Sequence, residues 1–449
     1  VRIRDSGVSH GQYFFAMDRE EMPSNRAQRT WVYRAAKDID TTVAFGSTRD
    51  LRPPGTTLFV NTAFPTLDRD AVENKPVVIG ENSARKPYIA HSFFNISGMS
   101  FGAISKPAVQ ALSYGAKKAN AWMNTGEGGL SPYHLEGGAD LVFQIGTAKY
   151  GVRDDDGKLS DRKLREVAAY DSVCMFEIKM SQGAKPGKGG ILPGAKVNEV
   201  ISKIRGIPVG TDSISPNRHP EIRNNDDLID MINHIREVTG KPTGFKAVIG
   251  DRTWLREFLQ AVNARGREYA PDFITIDSGD GGTGAAPMSL IDFVGLPIRE
   301  SLPLAVDTIC EAGLRDRIRI IASGKLINPA DVALALCTGA DFITSARGFM
   351  FSMGCIQALQ CHRNTCPTGI TTHDRKLQRG LVAELKSVRV ENYIMNLTYE
   401  VGVIAHSCGA RTPRELNRKH VRIVQENGTS ALLADIYPDR CAQQRTGEI

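Results

Sequence analysis

The sequence lacks several features that would define its class at once. It contains no run of eighteen apolar residues, so no segment of it is predicted to span a membrane. No signal peptide, internal repeat or low-complexity tract is visible either. We therefore expect a cytoplasmic protein. Because the chain begins at Val1, membrane association through a segment not present in this chain is left open.

A large excess of charge of one sign is also missing. The 56 basic residues exceed the 50 acidic ones by only six, which argues against nucleic acid as a partner and leaves room for an anion site. Aromatic residues make up 7% of the 449 residues, but hydrophobic residues as a whole reach 41%, enough for a substantial core. The 43 glycines fall in clusters, as expected of loops that approach a ligand or phosphate closely.

Cysteine is sparse, with eight residues in the whole chain. Five of them stand alone: Cys174, Cys310, Cys337, Cys408 and Cys441. In a large chain such cysteines are expected to be buried and reduced, so we expect a reducing compartment and no disulfide framework. The other three, Cys355, Cys361 and Cys366, lie within twelve residues.

In the chain, short apolar or β-branched runs alternate regularly with helical patterns. Eight runs are candidate strands: Phe93–Ser97, Ala121–Thr125, Cys174–Lys179, Pro208–Asp212, Gly244–Ile249, Phe273–Asp277, Ile318–Ala322 and Phe342–Ser345. The helical patterns include Lys106–Asn120, Asn225–Thr239, Arg252–Arg265, Leu302–Ala312 and Pro329–Thr338. Eight alternating units predict an α/β fold, a (β/α)8 TIM barrel, with the doubly wound sheet as the alternative.

The barrel is predicted to occupy residues 76–400. Residues 1–75 are polar, with one helix near Arg26–Asp38, and are interpreted as an N-terminal arm. Residues 401–449 are predicted to form a C-terminal helical extension. The two longest gaps between predicted strands, 126–172 and 180–207, are expected to hold active-site loops.

The three clustered cysteines are spaced C-x5-C-x4-C and are followed by Pro367. Thiolates are the soft ligands of iron–sulfur clusters. Three of them in one loop suit a three-iron cluster, since no fourth cysteine is near. A zinc site that adds His362 is an alternative, although this histidine directly follows Cys361 and would strain the geometry. Three structural thiols are the remaining interpretation.

Glycine-rich loops follow several predicted strands, at the catalytic face of a barrel. Gly279–Gly284 formally matches the dinucleotide-binding pattern G-x-G-x-x-G. No helix opens directly at Gly284, so a barrel loop that contacts a flavin or phosphate fits better. Ser323–Lys325 and Ala346–Gly348 follow the seventh and eighth strands, the usual phosphate site of barrels, and ordinary turns are the alternative.

Polar side chains follow other predicted strands. Glu127, among glycines, is a candidate acid, base or amine-orienting group. Gln182 and Lys185 share a glycine-rich loop, and together with Arg205 they suit a dicarboxylate or oxo acid. Lys246 lies inside an apolar strand, where a cation is costly to bury without an anion, and is a candidate to face a flavin. For each of these residues a solvated or structural role is the alternative.

Together these motifs resemble the FMN-binding glutamate synthase family, most closely its shorter, stand-alone members. Five ordered motifs between about residue 88 and 400 carry the resemblance: Met99–Ser105, Asn124–Gly129, Gln182–Gly190, Asp280–Pro287 and Cys355–Gly369. In this family the last motif binds a [3Fe–4S] cluster. The resemblance thus implies FMN at the barrel mouth and a [3Fe–4S] cluster on Cys355, Cys361 and Cys366.

The resemblance also implies roles for particular residues. Those expected in catalysis or substrate binding are Glu127, Gln182, Lys185 and Arg205. Those expected to bind the cofactor are Ser97, Met99, Ser100, Asn124, Gln182, Lys246, Asp277, Gly281, Gly282, Thr283, Gly284, Ser323, Gly324, Lys325, Ala346, Arg347 and Gly348.

The implied activity is that of an oxidoreductase acting on CH–NH2 donors: reductive amination of 2-oxoglutarate with ammonia to L-glutamate. Electrons would come from a donor protein, ferredoxin or an NAD(P)H-oxidising subunit. Two departures from the family pattern matter. The first 75 residues are too few for a glutaminase domain, and Ile191 replaces a common glutamine.

These departures keep two alternatives open. The chain could be an FMN and iron–sulfur electron-transfer component of a larger redox complex, or a synthase that joins another amine to an oxo acid. Self-association into a homo-oligomer is also left open.

Overall fold

The computed structural model describes residues 22–441. Eight parallel strands form a closed barrel. We number them β1–β8 in chain order: Phe94–Ile96, Met123–Asn124, Leu141–Ile145, Val173–Lys179, Thr243–Val248, Phe273–Asp277, Arg319–Ser323 and Phe342–Ser345. Each strand pairs with the next, and β8 closes the barrel onto β1, with Ile343 opposite Phe94. The predicted TIM barrel is therefore confirmed.

One predicted strand is wrong, and one observed strand was not predicted. Pro208–Asp212 forms a turn, in which Gly210 adopts φ +76°. The third barrel strand is instead Leu141–Ile145, which is buried along its whole length and lies in a region expected to be a loop. The connection before it holds only the four-residue helix Pro132–Leu135. So short a helix leaves no helical period to find.

Helices connect the strands and surround the barrel. They are Arg26–Ala36, Lys106–Lys118, Pro132–Leu135, Asp161–Ala168, Glu199–Arg205, Asn225–Thr239, Thr253–Arg265, Met288–Ile291, Ile298–Glu311, Pro329–Thr338, Arg347–Ser352, Arg375–Gln378, Ala383–Ser407 and Leu433–Ile436. Several begin at residues whose side chains accept hydrogen bonds from the first turn, such as Ser105, Asn224 and Asn328. No helix between residues 22 and 441 combines the length and apolar character of a membrane span.

The N-terminal arm and the C-terminal extension meet in a small sheet. Thr57–Phe59 pairs antiparallel with Val421–Val424, which in turn pairs with Ser430–Leu432. The extension, expected to be helical, thus also contains a hairpin, and Asn427-Gly428 in its turn is a strong hairpin signal. The proposed domain boundaries stay a prediction.

Two short antiparallel pairs of strands lie outside the barrel. They join Val77–Ile79 to Tyr88–Ala90, and Ile191–Leu192 to Ser213–Ile214.

A disulfide joins Cys310 to Cys441, so the expectation that the single cysteines are reduced is wrong for this pair. These two residues are 131 positions apart, and only the fold brings the C-terminal extension against the helix that carries Cys310.

Candidate active site

A cavity of about 370 Å³ lies at the mouth of the barrel, where the carboxyl ends of the strands meet. Loops after β1, β2, β4 and β8 contribute to its wall, as does the hairpin that contains Ile191 and Leu192. Cys361 and His362 of the cysteine loop also border it. This is the face on which barrel enzymes bind their substrates.

Cationic side chains dominate the cavity. Within residues 22–441, one carboxylate lines it, that of Glu127, against six cationic groups. The six belong to Lys179, Lys185, Lys196, Arg205, Lys246 and Arg347. Such an excess of positive charge in a partly dehydrated space is costly unless anions bind there.

Glu127 is held among these cations by the loop after β2. Its carboxylate pairs with Lys179 at 2.9 Å and lies 4.0 Å from Lys185 Nζ. Burial acts to raise the pKa of Glu127, but the charges of the two lysines and of Arg205 outweigh it and lower the pKa to about 2. Glu127 therefore stays ionised near neutral pH, so it can orient or stabilise a cation but has no proton to donate.

The loop after β4 brings Gln182 and Lys185 to the same region. Lys179, at the end of β4, donates a hydrogen bond to Gln182 Oε1 at 2.9 Å. Burial lowers the pKa of Lys185 to about 8, although the charge of Glu127 acts in the opposite direction. Lys185 can therefore gain or lose a proton near physiological pH, as a group that polarises a carbonyl or imine must.

Arg205 reaches the cavity from the end of a short helix. The helix Glu199–Arg205 stops at Gly206, whose φ of +61° favours glycine. The guanidinium lies 5.2 Å from the ring centre of Tyr150 and donates to Ser213 Oγ at 2.9 Å. Its buried Nε has no hydrogen-bond partner within residues 22–441. A carboxylate ligand would match this remaining donor capacity.

Arg347 and the Gly282–Gly284 loop lie together on another part of the cavity wall. A Cβ built on Gly282 would stand 2.6 Å from Arg347 Nε, so the guanidinium lies directly against this glycine. The guanidinium donates weakly to two sulfur atoms, Met350 Sδ at 3.5 Å and Cys361 Sγ at 3.8 Å. Its capacity for two parallel hydrogen bonds to an oxyanion is thus largely unused.

The other residues predicted to bind the cofactor are spread more widely. Those that line the same cavity are Met99, Ser100, Thr283 and Ala346. Ser97 and Asn124 line a small cavity inside the barrel, and Lys246 borders both cavities. Asp277, Gly281, Ser323 and Gly348 do not line the large cavity. Asp277 instead accepts the amide hydrogen of Gly183 at 2.9 Å.

The loop after β7 is also turned away from the large cavity. Lys325 pairs with Asp280 at 3.0 Å and, together with Gly324, borders a separate cavity of about 180 Å³. Gly324 adopts φ +107°, and a Cβ there would collide with Ser278. Close packing against Ser278 therefore explains this glycine without a phosphate.

Pattern analysis missed several polar residues of the site. Lys179 and Lys196 line the cavity, and so does Gln144 on the unpredicted strand β3. The position of Lys179 at the carboxyl end of a predicted strand was an available signal. Glu177 lies below, inside the barrel, and accepts hydrogen bonds of 2.5–2.8 Å from the neutral side chains of Asn124, Gln144 and Thr275.

The clustered cysteines lie at the edge of the cavity. Burial raises the pKa of Cys355 to about 11, and the charges of Cys361 and Cys366 add to the effect, while the Gln357 amide and Arg347 oppose it. The three thiols are thus close enough to influence one another. Within residues 22–441, however, no group of three or more His, Cys, Asp or Glu side chains is arranged to hold a metal ion. The donor chemistry of the three thiols fits an iron–sulfur cluster.

The fold and the mouth of the barrel define a TIM-barrel protein with a cavity whose charged side chains are mainly cationic. Among solved structures, the flavin-binding domain of baker's yeast flavocytochrome b2 matches with a TM-score of 0.51, at 14% identity over 90% of this chain and 81% of that one. A chimera of (S)-mandelate dehydrogenase matches with a TM-score of 0.51, at 13% identity over 81% and 87%. At these identities the likeness concerns the fold alone.

Sequence comparison identifies the family. The family model described as "Conserved region in glutamate synthase" matches residues 46–411. The chain is 38% identical to the glutamate synthase large subunit-like protein YerD of Bacillus subtilis, over 93% of this chain and 86% of that protein. It therefore belongs to the glutamate synthase family and is a glutamate synthase-like oxidoreductase. The resemblance drawn from the motifs is confirmed.

More distant relatives are longer than this chain. It is 35% identical to the archaeal glutamate synthase [NADPH] of Methanocaldococcus jannaschii, over 74% of this chain and 62% of that protein. It is 34% identical to the archaeal-type glutamate synthase [NADPH] of Thermotoga maritima, over 76% and 64%. The chain thus spans less than two thirds of these two relatives.

Proposed function

We propose that this chain is an FMN-dependent oxidoreductase that forms L-glutamate from 2-oxoglutarate and ammonia. The proposal rests on the excess of positive charge at the mouth of the barrel. Six cationic groups and one carboxylate line the cavity, and the FMN phosphate and 2-oxoglutarate each bring about two negative charges at neutral pH. Together they would nearly balance the excess.

Two parts of the cavity wall suggest how the ligands would share the cavity. Arg347 and the glycines at 282 and 284, which line the cavity together, would hold the FMN phosphate. Ala346 and Met99 would border the same cofactor. When bound, FMN supplies the hydride that reduces the imine of 2-oxoglutarate.

The substrate would lie on the opposite side, where the remaining polar groups converge. Arg205 and Gln182 would bind its carboxylates, and Lys185 would polarise its carbonyl oxygen. Glu127, ionised because its pKa is near 2, would orient ammonia and stabilise the positive iminium. The hairpin that carries Ile191 would help to exclude water.

The cysteine loop suggests how electrons would enter. Its three thiols have the donor chemistry for a [3Fe–4S] cluster, and Cys361 borders the same cavity as Arg347. A donor protein, ferredoxin or an NAD(P)H-oxidising subunit, would supply the electrons. Absorbance and electron spin resonance of anaerobically purified protein would test for the cluster.

The reaction itself can be tested directly. The purified holoprotein, reduced chemically under anaerobic conditions, would be mixed with 2-oxoglutarate and ammonium. We expect glutamate to form and the bleached flavin absorbance to return. If protein with a full complement of flavin forms no glutamate and its flavin absorbance does not return, the proposed reaction is contradicted.

Ile191 favours a second candidate. It lines the cavity with 40% of its surface exposed, where a side-chain amide would contact 2-oxoglutarate better. An apolar wall suits an alkylated amine, or a protein that only passes electrons between partners. Product formation from methylamine but not ammonium would favour the first. Redox-active flavin without oxo-acid binding would favour the second.

A further inference from the structure

The longest helix of the described chain, Ala383–Ser407, carries apolar side chains on two faces. Its inner face packs against the helices Lys106–Lys118 and Arg26–Ala36. Fully or almost fully buried residues of this face are Val390, Tyr393, Ile394, Leu397, Val401 and Ala405. This packing accounts for the stability of the helix without any help from its outer face.

The outer face is unusual for a helix that faces water. Five large apolar side chains, which we call the outer line, run along it: Leu385, Val388, Met395, Tyr399 and Val403, exposed by 67, 43, 55, 72 and 49%. Among the exposed residues of this helix, one is charged, namely Glu384 in the first turn. A solvent-facing helix normally presents charged residues there, so the outer line has the composition of a contact surface.

The residues of the outer line are placed nearly symmetrically about the middle of the helix. Leu385 and Val403 lie nine residues before and nine residues after Ile394, and Val388 and Tyr399 lie six residues before and five residues after it. An isologous interface between two copies requires this self-complementarity, because each surface patch meets itself.

The charged neighbours of the outer line follow the same symmetry. Arg389 and Glu400 lie five residues before and six residues after Ile394 and, at about 100° per residue, lie on the same flank of the helix. In an antiparallel pair related by a two-fold axis, equal flanks meet, so Arg389 of one copy would face Glu400 of the other. Neither side chain forms an ion pair within residues 22–441, and Glu400 accepts a hydrogen bond from Thr41 at 2.6 Å.

The N-terminal arm reaches this helix at Thr41, which donates to Glu400, and it carries exposed apolar side chains further along. Beyond Thr41, the side chains of Val43 and Phe45 are exposed by 56 and 109%. Each large apolar side chain removes roughly 60–120 Å² from water when fully buried. Scaled by their exposed fractions, the outer line and these two side chains could bury roughly 270–540 Å², about half of the about 800 Å² that each partner buries in a standard interface, so the flanking polar side chains would have to bury the rest.

We propose that the outer line is the contact surface of a symmetric dimer, in which the long helices of two copies of this chain pack antiparallel. Leu385, Met395 and Tyr399 form its apolar core, and Arg389 pairs with Glu400 across the two-fold axis. This proposal does not depend on the reaction proposed above.

Light scattering of the full chain would test the proposal. The expected mass is twice 49.0 kDa, and Tyr399→Glu is expected to give a monomer with unchanged flavin absorbance and helical circular dichroism. The matched control is Tyr170→Glu, because Tyr170 is 48% exposed elsewhere on the surface, and this variant should remain dimeric. A monomeric unmodified chain at tens of micromolar, or a dimeric Tyr399→Glu variant, overturns the proposal.

Charge reversal tests the antiparallel arrangement. Arg389→Glu and Glu400→Arg are each expected to weaken dimerisation about tenfold, as like charges would then meet. The double variant should recover the dissociation constant of the unmodified chain, because the pair is rebuilt in reverse. A double variant as weak as the singles contradicts this arrangement. Vesicle binding by a monomeric chain, abolished by Tyr399→Glu, would identify a lipid surface as the occupant and overturn the dimer.

Discussion

Two carboxylates at opposite ends of the barrel, the buried Asp272 and the half-buried Glu127, are both surrounded by cations but differ in how completely they are bonded. Asp272 precedes β6 at the amino end. It pairs with Arg236 and with Arg317, each at 2.9 Å, and accepts the amide hydrogen of Thr243 at 2.7 Å. The two guanidinium groups also donate to nearby backbone carbonyls. Asp272 has no exposed surface. We call this cluster closed, because its charged groups are bonded within the protein and do not line the cavity at the mouth.

Glu127, at the mouth, lies in an open cluster. Lys179 pairs with it at 2.9 Å and Lys185 lies 4.0 Å away, yet both lysines line the cavity. Arg205 keeps an unpartnered Nε within the described chain. Similar residue types therefore serve different purposes. A saturated cluster stabilises the fold, whereas a cluster with spare donors next to a cavity is suited to a ligand.

The largest effect is expected from the closed cluster. Asp272→Ala leaves two buried guanidinium groups without their counter-charge, which should lower the free energy of unfolding by about 3–5 kcal/mol. Urea denaturation would measure the loss. The control is Asp316→Ala, which breaks the exposed pair with Arg267 at 2.7 Å and should leave stability nearly unchanged. An equally small loss for Asp272→Ala would remove the distinction between the two clusters.

The open cluster should respond in activity and not in stability. Lys185→Met removes a charged hydrogen bond to the substrate worth about 1.5–3 kcal/mol, so kcat/KM for 2-oxoglutarate should fall roughly 10- to 150-fold. Unfolding should be unaffected, because Glu127 keeps Lys179. Lys188→Met, an exposed lysine of the same loop, is the control and should retain activity. A loss of stability matching that of Asp272→Ala would show that Lys185 is structural.

Most strands of the barrel could be predicted from the sequence, and the reason is visible in the strand that was missed. Strands such as β6 and β8 were predicted with their observed bounds, because buried parallel strands are continuous apolar runs bounded by turn residues. Strand β3 has the same apolar character, but its neighbouring helix has four residues. The alternation that identified the other strands was therefore too short to recognise there.

The site was predictable only as far as local motifs reach. Glu127, Gln182 and Lys185 stand in glycine-rich loops that mark a barrel mouth, and all three line the cavity. The Asp272 cluster has no such signal, because its members come from separate elements. The loop that carries Lys325 looked like a phosphate site, but its side chain turns to Asp280. Side-chain direction follows from packing and cannot be read from spacing.

The pH dependence of substrate binding would sharpen the account of the open cluster. Burial lowers the pKa of Lys185 to about 8, so the ammonium form, which attracts a dianion, predominates below that pH. Affinity for 2-oxoglutarate should be constant below pH 8 and weaken by up to about tenfold per unit above it. Glu127 does not contribute, since its pKa lies near 2.

Calorimetric titration between pH 6 and 10 would measure this dependence. Lys185→Arg should weaken the inflection, because a guanidinium stays protonated over the whole range. An unchanged inflection in this variant would assign the titration to Lys196, which lines the same cavity and whose pKa burial also lowers to about 8.

The smallest expected effect concerns the apolar part of the cavity wall that Ile191 forms. Ile191→Gln would place an amide where an apolar side chain now lines the cavity, and one added hydrogen bond worth about 0.5–1.5 kcal/mol should tighten 2-oxoglutarate binding roughly 2- to 12-fold. Ile214→Gln is the control, because Ile214 pairs with Ile191 across the hairpin but does not line the cavity. Weaker binding after Ile191→Gln would mean that the apolar wall itself contacts the natural ligand. The open cluster would then bind one end of a substrate whose other end is apolar, and the alkylated amine would replace ammonia as the favoured co-substrate.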